Sequence, residues 1–191
     1  MSRAFLLAAS VAVLCSGCGS AKHVTFVGQA MPSQAAPSFT LHDDTGHAVR
    51  FASTRGHYVI VTFLYTHCPD VCPIIAGNLN RTLQTATAKA AGLQVVAISV
   101  DPTRDTPAAV RSYVKVRQLL PTFHYLIGTR AQLAPVWRAF HIAAVPGAKG
   151  TVTHEAFEIL VDPKGQERLI YDKDVRPADI VQDLKTLTKE S

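Results

Sequence analysis

Two cysteines four residues apart, Cys68 and Cys72, lie in the run Tyr65-Thr66-His67-Cys68-Pro69-Asp70-Val71-Cys72-Pro73. At this spacing the sulfurs can turn toward each other, and the pair can close a disulfide or chelate one soft metal ion. With Pro69 at the first position of a helix, where its missing N–H costs nothing, both cysteines fall near the helix start on one face. The positive end of the helix then favours thiolate over thiol. His67 adjoins Cys68 but points away from it, at most a neighbour of the site, and Asp70 is a negative charge suited to a helix N-terminus.

The elements around this stretch must present it. Tyr58 to Tyr65 is an unbroken apolar run rich in β-branched and aromatic residues, the pattern of a strand covered on both faces. A helix is expected from Pro69 to about Ala91, with Gly92 as its stop, and Leu93 to Val100 reads as a second buried strand. Strand, helix, strand makes a crossover and hence a parallel pair. Asp101-Pro102-Thr103-Arg104-Asp105 leaves that strand as a polar loop. It is either an ion-paired rim to the site or a plain turn and cap. Thr106 and Pro107 start a helix to about Arg117. Phe123–Ile127 reads as a short strand, Gln132–Phe140 as a helix and His141–Thr151 as a loop. Phe157–Val161 and Glu167–Tyr171 form a hairpin, and Pro177–Lys189 closes the chain as an amphipathic helix. Upstream, Phe39–Leu41 and Val49–Phe51 flank Asp43-Asp44-Thr45-Gly46 as an N-terminal β-hairpin. The whole resembles a thioredoxin-like α/β fold, a central mixed β-sheet flanked by helices, whose sites lie at strand C-terminal ends.

The first residues read as a leader. Arg3 precedes an apolar run from Ala4 to Leu14, too short at about 1.5 Å per residue to span a bilayer core, and small residues follow before Cys18. This resembles a lipoprotein cleavage box, with Cys15 where the box usually has Leu, and makes residues 1–18 a signal peptide with Cys18 as the lipidated residue. The expected product is anchored by lipid to the membrane on the extracytoplasmic side. Residues 19–36 read as a flexible tether and 37–191 as one domain, which suits a 191-residue chain with 48% apolar content. Cys68 and Cys72 then remain as the only thiols of that domain. The net charge of +5 is scattered, without a basic–aromatic stripe, so nucleic acid is not the expected partner.

Thioredoxin-type reductases carry C-x-x-C and a proline before the strand facing the dithiol. Here the spacing is C-x-x-x-C, and the corresponding segment, Gly150 to Ala156, has His154 and no proline. Two thiolates and one imidazole make a soft, low-coordinate donor set suited to copper, whereas structural zinc wants a fourth ligand. A structural disulfide between Cys68 and Cys72 is the plain alternative in an exported protein. The dithiol run, Asp101 to Pro107, Val152-Thr153-His154 and the downstream Asp162-Pro163-Lys164-Gly165 together resemble the Sco (SenC) family of copper chaperones, in order from about Pro37 to Leu187. The resemblance implies an extracytoplasmic metallochaperone that delivers copper, as Cu(I) or Cu(II), to the dinuclear copper centre of cytochrome c oxidase. It implies Cys68, Cys72 and His154 as metal ligands and the copper-accepting oxidase subunit as partner. The family usually has a transmembrane anchor in place of a lipoprotein signal. Because only thiolates bind the metal, a thiol reductase is a second implied partner. A thiol-disulfide oxidoreductase working through Cys68 and Cys72 on the oxidase subunit, or a copper or redox sensor, are the other readings; only the first makes the protein an enzyme.

Overall fold

The structure is a computed structural model that describes residues 25–143, 145–146, 152–153 and 156–190. The expected signal peptide, Cys18 and His154 lie outside the described residues.

The centre is the apolar run read as a covered strand. β4 (Val59–Leu64) is buried at every residue and pairs in parallel with β5 (Gln94–Ser99), which pairs in parallel with β6 (Phe123–Leu126). On its other side β4 meets β9 (Phe157–Val161) antiparallel. β10 (Gln166–Asp172) and β1 (Gln29–Ala35) complete a mixed six-stranded sheet in the order β1-β10-β9-β4-β5-β6. β2 (Thr40–His42) and β3 (Ala48–Arg50) form the expected hairpin, which reaches the β6 edge through a His42–Ile127 bridge.

α1 (Val71–Gln84) and α3 (Pro107–Val116) are the crossovers between parallel strands, and the right-handed rule for such connections places both on one face. Asn80 ties them together: its Nδ2 donates to Gln118 O at 3.0 Å and its Oδ1 accepts from Leu120 N at 2.9 Å. α5 (Pro177–Leu187) packs beside α1. Rings mark the opposite face, where Phe63 meets Phe140, at the end of α4 (Arg130–Ala139), and Phe157 with centroids 5.5 and 6.1 Å away. Thr106 caps α3 through Ala109 N, with Pro107 in the first turn as expected, and Thr129 and Gln132 form a capping box on α4. β7 (Val145–Pro146) and β8 (Val152–Thr153) form a two-residue ladder inside the expected loop. Among the described residues no helix is long and apolar enough to cross a membrane.

Three expectations are corrected. The stretch read as tether over 19–36 is strand from Gln29 to Ala35, so the folded unit starts before Pro37. β1 is mostly exposed and carries no apolar alternation; backbone pairing to β10 and polar bonds hold it. Asp183 accepts from Val27 N and Gly28 N, both at 2.8 Å, and from Tyr171 OH at 3.0 Å. Gly28 is needed there, because a Cβ would lie 2.6 Å from the Tyr171 ring. Second, the long helix is two. Thr85 is extended (φ −70°, ψ 149°) and its hydroxyl accepts from Ala88 N to start α2 (Ala86–Ala90). Third, α1 starts at Val71 with Asp70 as N-cap, so Pro69 is not its first residue and Cys68 lies outside it.

Candidate metal centre

β4 delivers the chain to the sheet's C-terminal end, and the six residues Tyr65 to Asp70 link it to α1. A turn closed by Cys68 N donating to Tyr65 O at 3.2 Å brings Cys68 back over the helix start. Cys72, in the first turn of α1, then donates its backbone N–H to Cys68 Sγ at 3.3 Å. Both thiols are free and buried, Cys68 at 7% exposure and Cys72 at 0%.

The pair is electrically unequal. Cys68 is pulled down to about 5, chiefly by a hydrogen bond from the Cys72 thiol; burial opposes this, and the backbone N–H groups of Asp70 and Cys72 add to it. Cys72 is pushed up because it holds the shared proton toward Cys68, and burial adds to the effect. The resting pair is therefore one thiolate and one thiol on neighbouring sulfurs. Such a pair can attack a disulfide, or lose its remaining proton to a soft cation and bind through both sulfurs.

Asp105 sets the loop's position. Buried at 3% exposure, it accepts from Thr66 N (2.8 Å) and Thr66 Oγ1 (2.7 Å) on one oxygen, and from Ser99 Oγ (2.6 Å) and Tyr125 OH (3.2 Å) on the other. Burial raises its pKa against the pull of these donors. The rim expected from Asp101, Arg104 and Asp105 thus divides. Asp101 and Arg104 form an ion pair, with the guanidinium 5.8 Å from the Tyr65 ring, while Asp105 pairs with no cation among the described residues and anchors the dithiol loop. Neither Asp105 nor Tyr113, whose OH donates to Cys72 O at 3.3 Å, was singled out for this role from sequence. The only sequence signal for Asp105 was a carboxylate just before a cap threonine at the end of a buried strand.

His67 is exposed and its Nδ1 lies 3.0 Å from Thr66 Oγ1. The Asp70 side chain makes no capping hydrogen bond. Among the described residues no three His, Cys, Asp or Glu side chains gather as a metal site. β9 runs antiparallel to β4 and enters the sheet at the end where β4 leaves it, from Thr62↔Glu158 to Val59↔Val161.

The comparisons with known proteins agree with this architecture. A family model described as SCO1/SenC matches residues 27–189. Protein SenC of Rhodobacter capsulatus is 32% identical, the match covering 73% of this chain and 64% of that protein. The human mitochondrial SCO1 homolog is 30% identical over 78% of this chain, which spans about half (51%) of its length. Among solved structures, Bradyrhizobium japonicum ScoI with copper bound shares 34% identity with a TM-score of 0.68, over 80% of this chain and 98% of that one. Arabidopsis thaliana ScoI with copper bound shares 25% identity with a TM-score of 0.72, over 82% and 99%. The thioredoxin-like fold holds, and with a family match across nearly all described residues, this chain belongs to the SCO1/SenC family.

Proposed function

We propose that the protein is an extracytoplasmic copper carrier that binds copper through Cys68, Cys72 and His154 and delivers it to the dinuclear copper centre of cytochrome c oxidase. The observation that carries the reading is the dithiol itself: two free sulfurs at a helix start, the Cys72 amide already directed at Cys68 Sγ. Copper as cargo is supported by the donor chemistry and by relatives solved with copper bound. His154 comes three residues before the first residue of β9 in the chain, and β9 enters at the dithiol end of the sheet, which supports its role as third ligand. Oxidation of the thiolate–thiol pair to a disulfide by a two-electron oxidant such as a small-molecule disulfide, with release of two electrons and the one remaining proton, removes both sulfur donors. A thiol reductase belongs to the cycle for that reason. Anchoring through a lipidated Cys18 after cleavage of residues 1–18 belongs to the same proposal.

The inequality of the thiols supports a second reading. A thiolate at Cys68 backed by a thiol at Cys72 is also the resting state of a disulfide reductant. His154→Ala separates the two. On the carrier reading it leaves disulfide exchange with a small thiol intact and weakens copper binding at least tenfold in competition with a chelator. Unchanged copper binding makes the protein an oxidoreductase. Transfer is tested by mixing the reduced, copper-loaded chain with the soluble copper domain of an oxidase and following the acceptor's spectrum; copper that stays on the chain refutes delivery.

A further inference from the structure

Beside the dithiol loop the surface opens into a cleft of about 270 Å³. Thr66 and His67 form one lip; α3 and its C-cap form the other, with Tyr113, Val116 and Arg117. Arg117 lies over the Tyr113 ring, its guanidinium carbon 4.4 Å from the centroid, and its Nε is buried without a hydrogen-bond partner. Arg117 pairs with no carboxylate among the described residues, as is true of several other arginines; the ring beneath it and its place in the cleft set it apart. A guanidinium held over an aromatic ring, with no carboxylate partner among the described residues, is preorganised to receive a carboxylate.

The cleft selects among anions. Its single fixed cation sits at the C-terminal end of α3, where the helix dipole is negative, so a phosphate dianion is poorly served. Val116, 76% exposed at the rim, offers an apolar wall for the methylenes of Asp or Glu. The cleft adjoins the dithiol loop: Thr66 and His67 of its lining directly precede Cys68, and Tyr113 donates to Cys72 O.

We propose that this cleft is a carboxylate-binding site that seats an acidic side chain of the protein exchanging copper with the dithiol. The partner half of the proposal rests on the carrier reading above; the site itself does not. The test has two arms on the full reduced chain. In the first, the metal-free protein is titrated with tri-glutamate and with inorganic phosphate while the NMR signals of Thr66, His67 and residues 113–117 are followed. Tri-glutamate gives saturable shifts at those residues, and Arg117→Gln abolishes them. No shift, equal shifts in Arg117→Gln, or tighter binding of phosphate overturns the carboxylate site whatever copper does. In the second arm, Arg117→Glu slows copper transfer to the oxidase copper domain about tenfold and flattens its salt dependence, with copper affinity unchanged. Transfer at the wild-type rate overturns the docking role. If the wild-type chain transfers no copper, delivery fails and the named partner with it, and the titration decides the carboxylate site alone.

Discussion

Two carboxyl groups are buried beside the dithiol strand. Asp105, at the C-terminal end of the sheet, has two donors on each oxygen. Glu158, inside the sheet on β9, receives one long hydrogen bond among the described residues, Thr62 Oγ1 to Oε1 at 3.4 Å, and its Oε2 has no partner among them. Both groups are raised in pKa by burial, Glu158 to about 8, with the charges of Asp172 and Asp174 adding to the effect. The difference lies in what each holds. Asp105 ties together Thr66 of the dithiol loop, Ser99 of β5 and Tyr125 of β6, so its desolvation is offset by bonds that fix a site. Glu158 fixes nothing comparable and stays comfortable only while protonated.

Removing the well-paired group should therefore have the larger effect. Asp105→Ala leaves the Thr66 N–H and the Ser99 and Tyr125 hydroxyls without their acceptor; at roughly 1–3 kcal/mol per orphaned buried donor, a loss of about 3–5 kcal/mol is expected. Thermal melts of the reduced, metal-free chain should fall by roughly 10 °C. The freed loop should also lose the Cys68–Cys72 alignment, so the pH midpoint of Cys68 alkylation should move up from about 5. A full-strength melt with an unmoved midpoint would show that Asp105 does not position the dithiol.

For Glu158 the sign is opposite. The folded chain keeps the proton up to about pH 8, while the unfolded chain releases it above the ordinary value of 4.5. The native state therefore binds more protons across that window, and this group's contribution to stability falls as pH rises, by at most about 1.4 kcal/mol per pH unit. Glu158→Gln should match wild type near pH 4.5 and exceed it by a few kcal/mol at pH 8 in urea titrations. Parallel pH profiles for the two proteins would place Glu158 in a wetter setting than its burial implies.

The same contrast explains what could be read in the chain. β4 and β5 were legible because continuous Val, Ile and Phe burial leaves a pattern in sequence, and the Thr106–Pro107 cap because its chemistry is local. Cys68 and Cys72 announced themselves by type and spacing, while His154 drew its meaning from a family resemblance. β1 was missed because an exposed edge strand has no periodic signature, and the Asp183 carboxylate that fixes Val27 and Gly28 just before it lies 156 and 155 residues away in the chain. The break at Thr85 was missed because Ala-rich flanks suit a helix and one hydroxyl decides otherwise. Asp105 and Glu158 look alike in sequence, an acid at the edge of an apolar run. Only the donors that distant strands bring to them separate an anchor from a burden.

The finest version of the comparison deletes one hydroxyl from each group. Tyr125→Phe removes one of the four bonds to Asp105, at 3.2 Å, and keeps the ring that packs edge-on against Tyr113, 5.7 Å between centroids. The remaining three donors still hold the carboxylate, so the expected loss is that of one hydrogen bond, about 1 kcal/mol, with the Cys68 midpoint unchanged. Thr62→Val removes the only donor Glu158 has among the described residues, but at 3.4 Å that bond is weak and the two side chains are nearly isosteric. Its effect near pH 5, where Glu158 is protonated, should lie within about 0.5 kcal/mol. What it should change is the pH at which Glu158 ionises: with the one interaction that lowers it gone, the carboxyl moves further up, and the fall in stability with pH extends to higher pH. Urea titrations of both variants at pH 5 and pH 8.5 decide the matter. A larger loss for Thr62→Val than for Tyr125→Phe at pH 5 would mean that the long bond to Glu158 matters more to the fold than the network around Asp105.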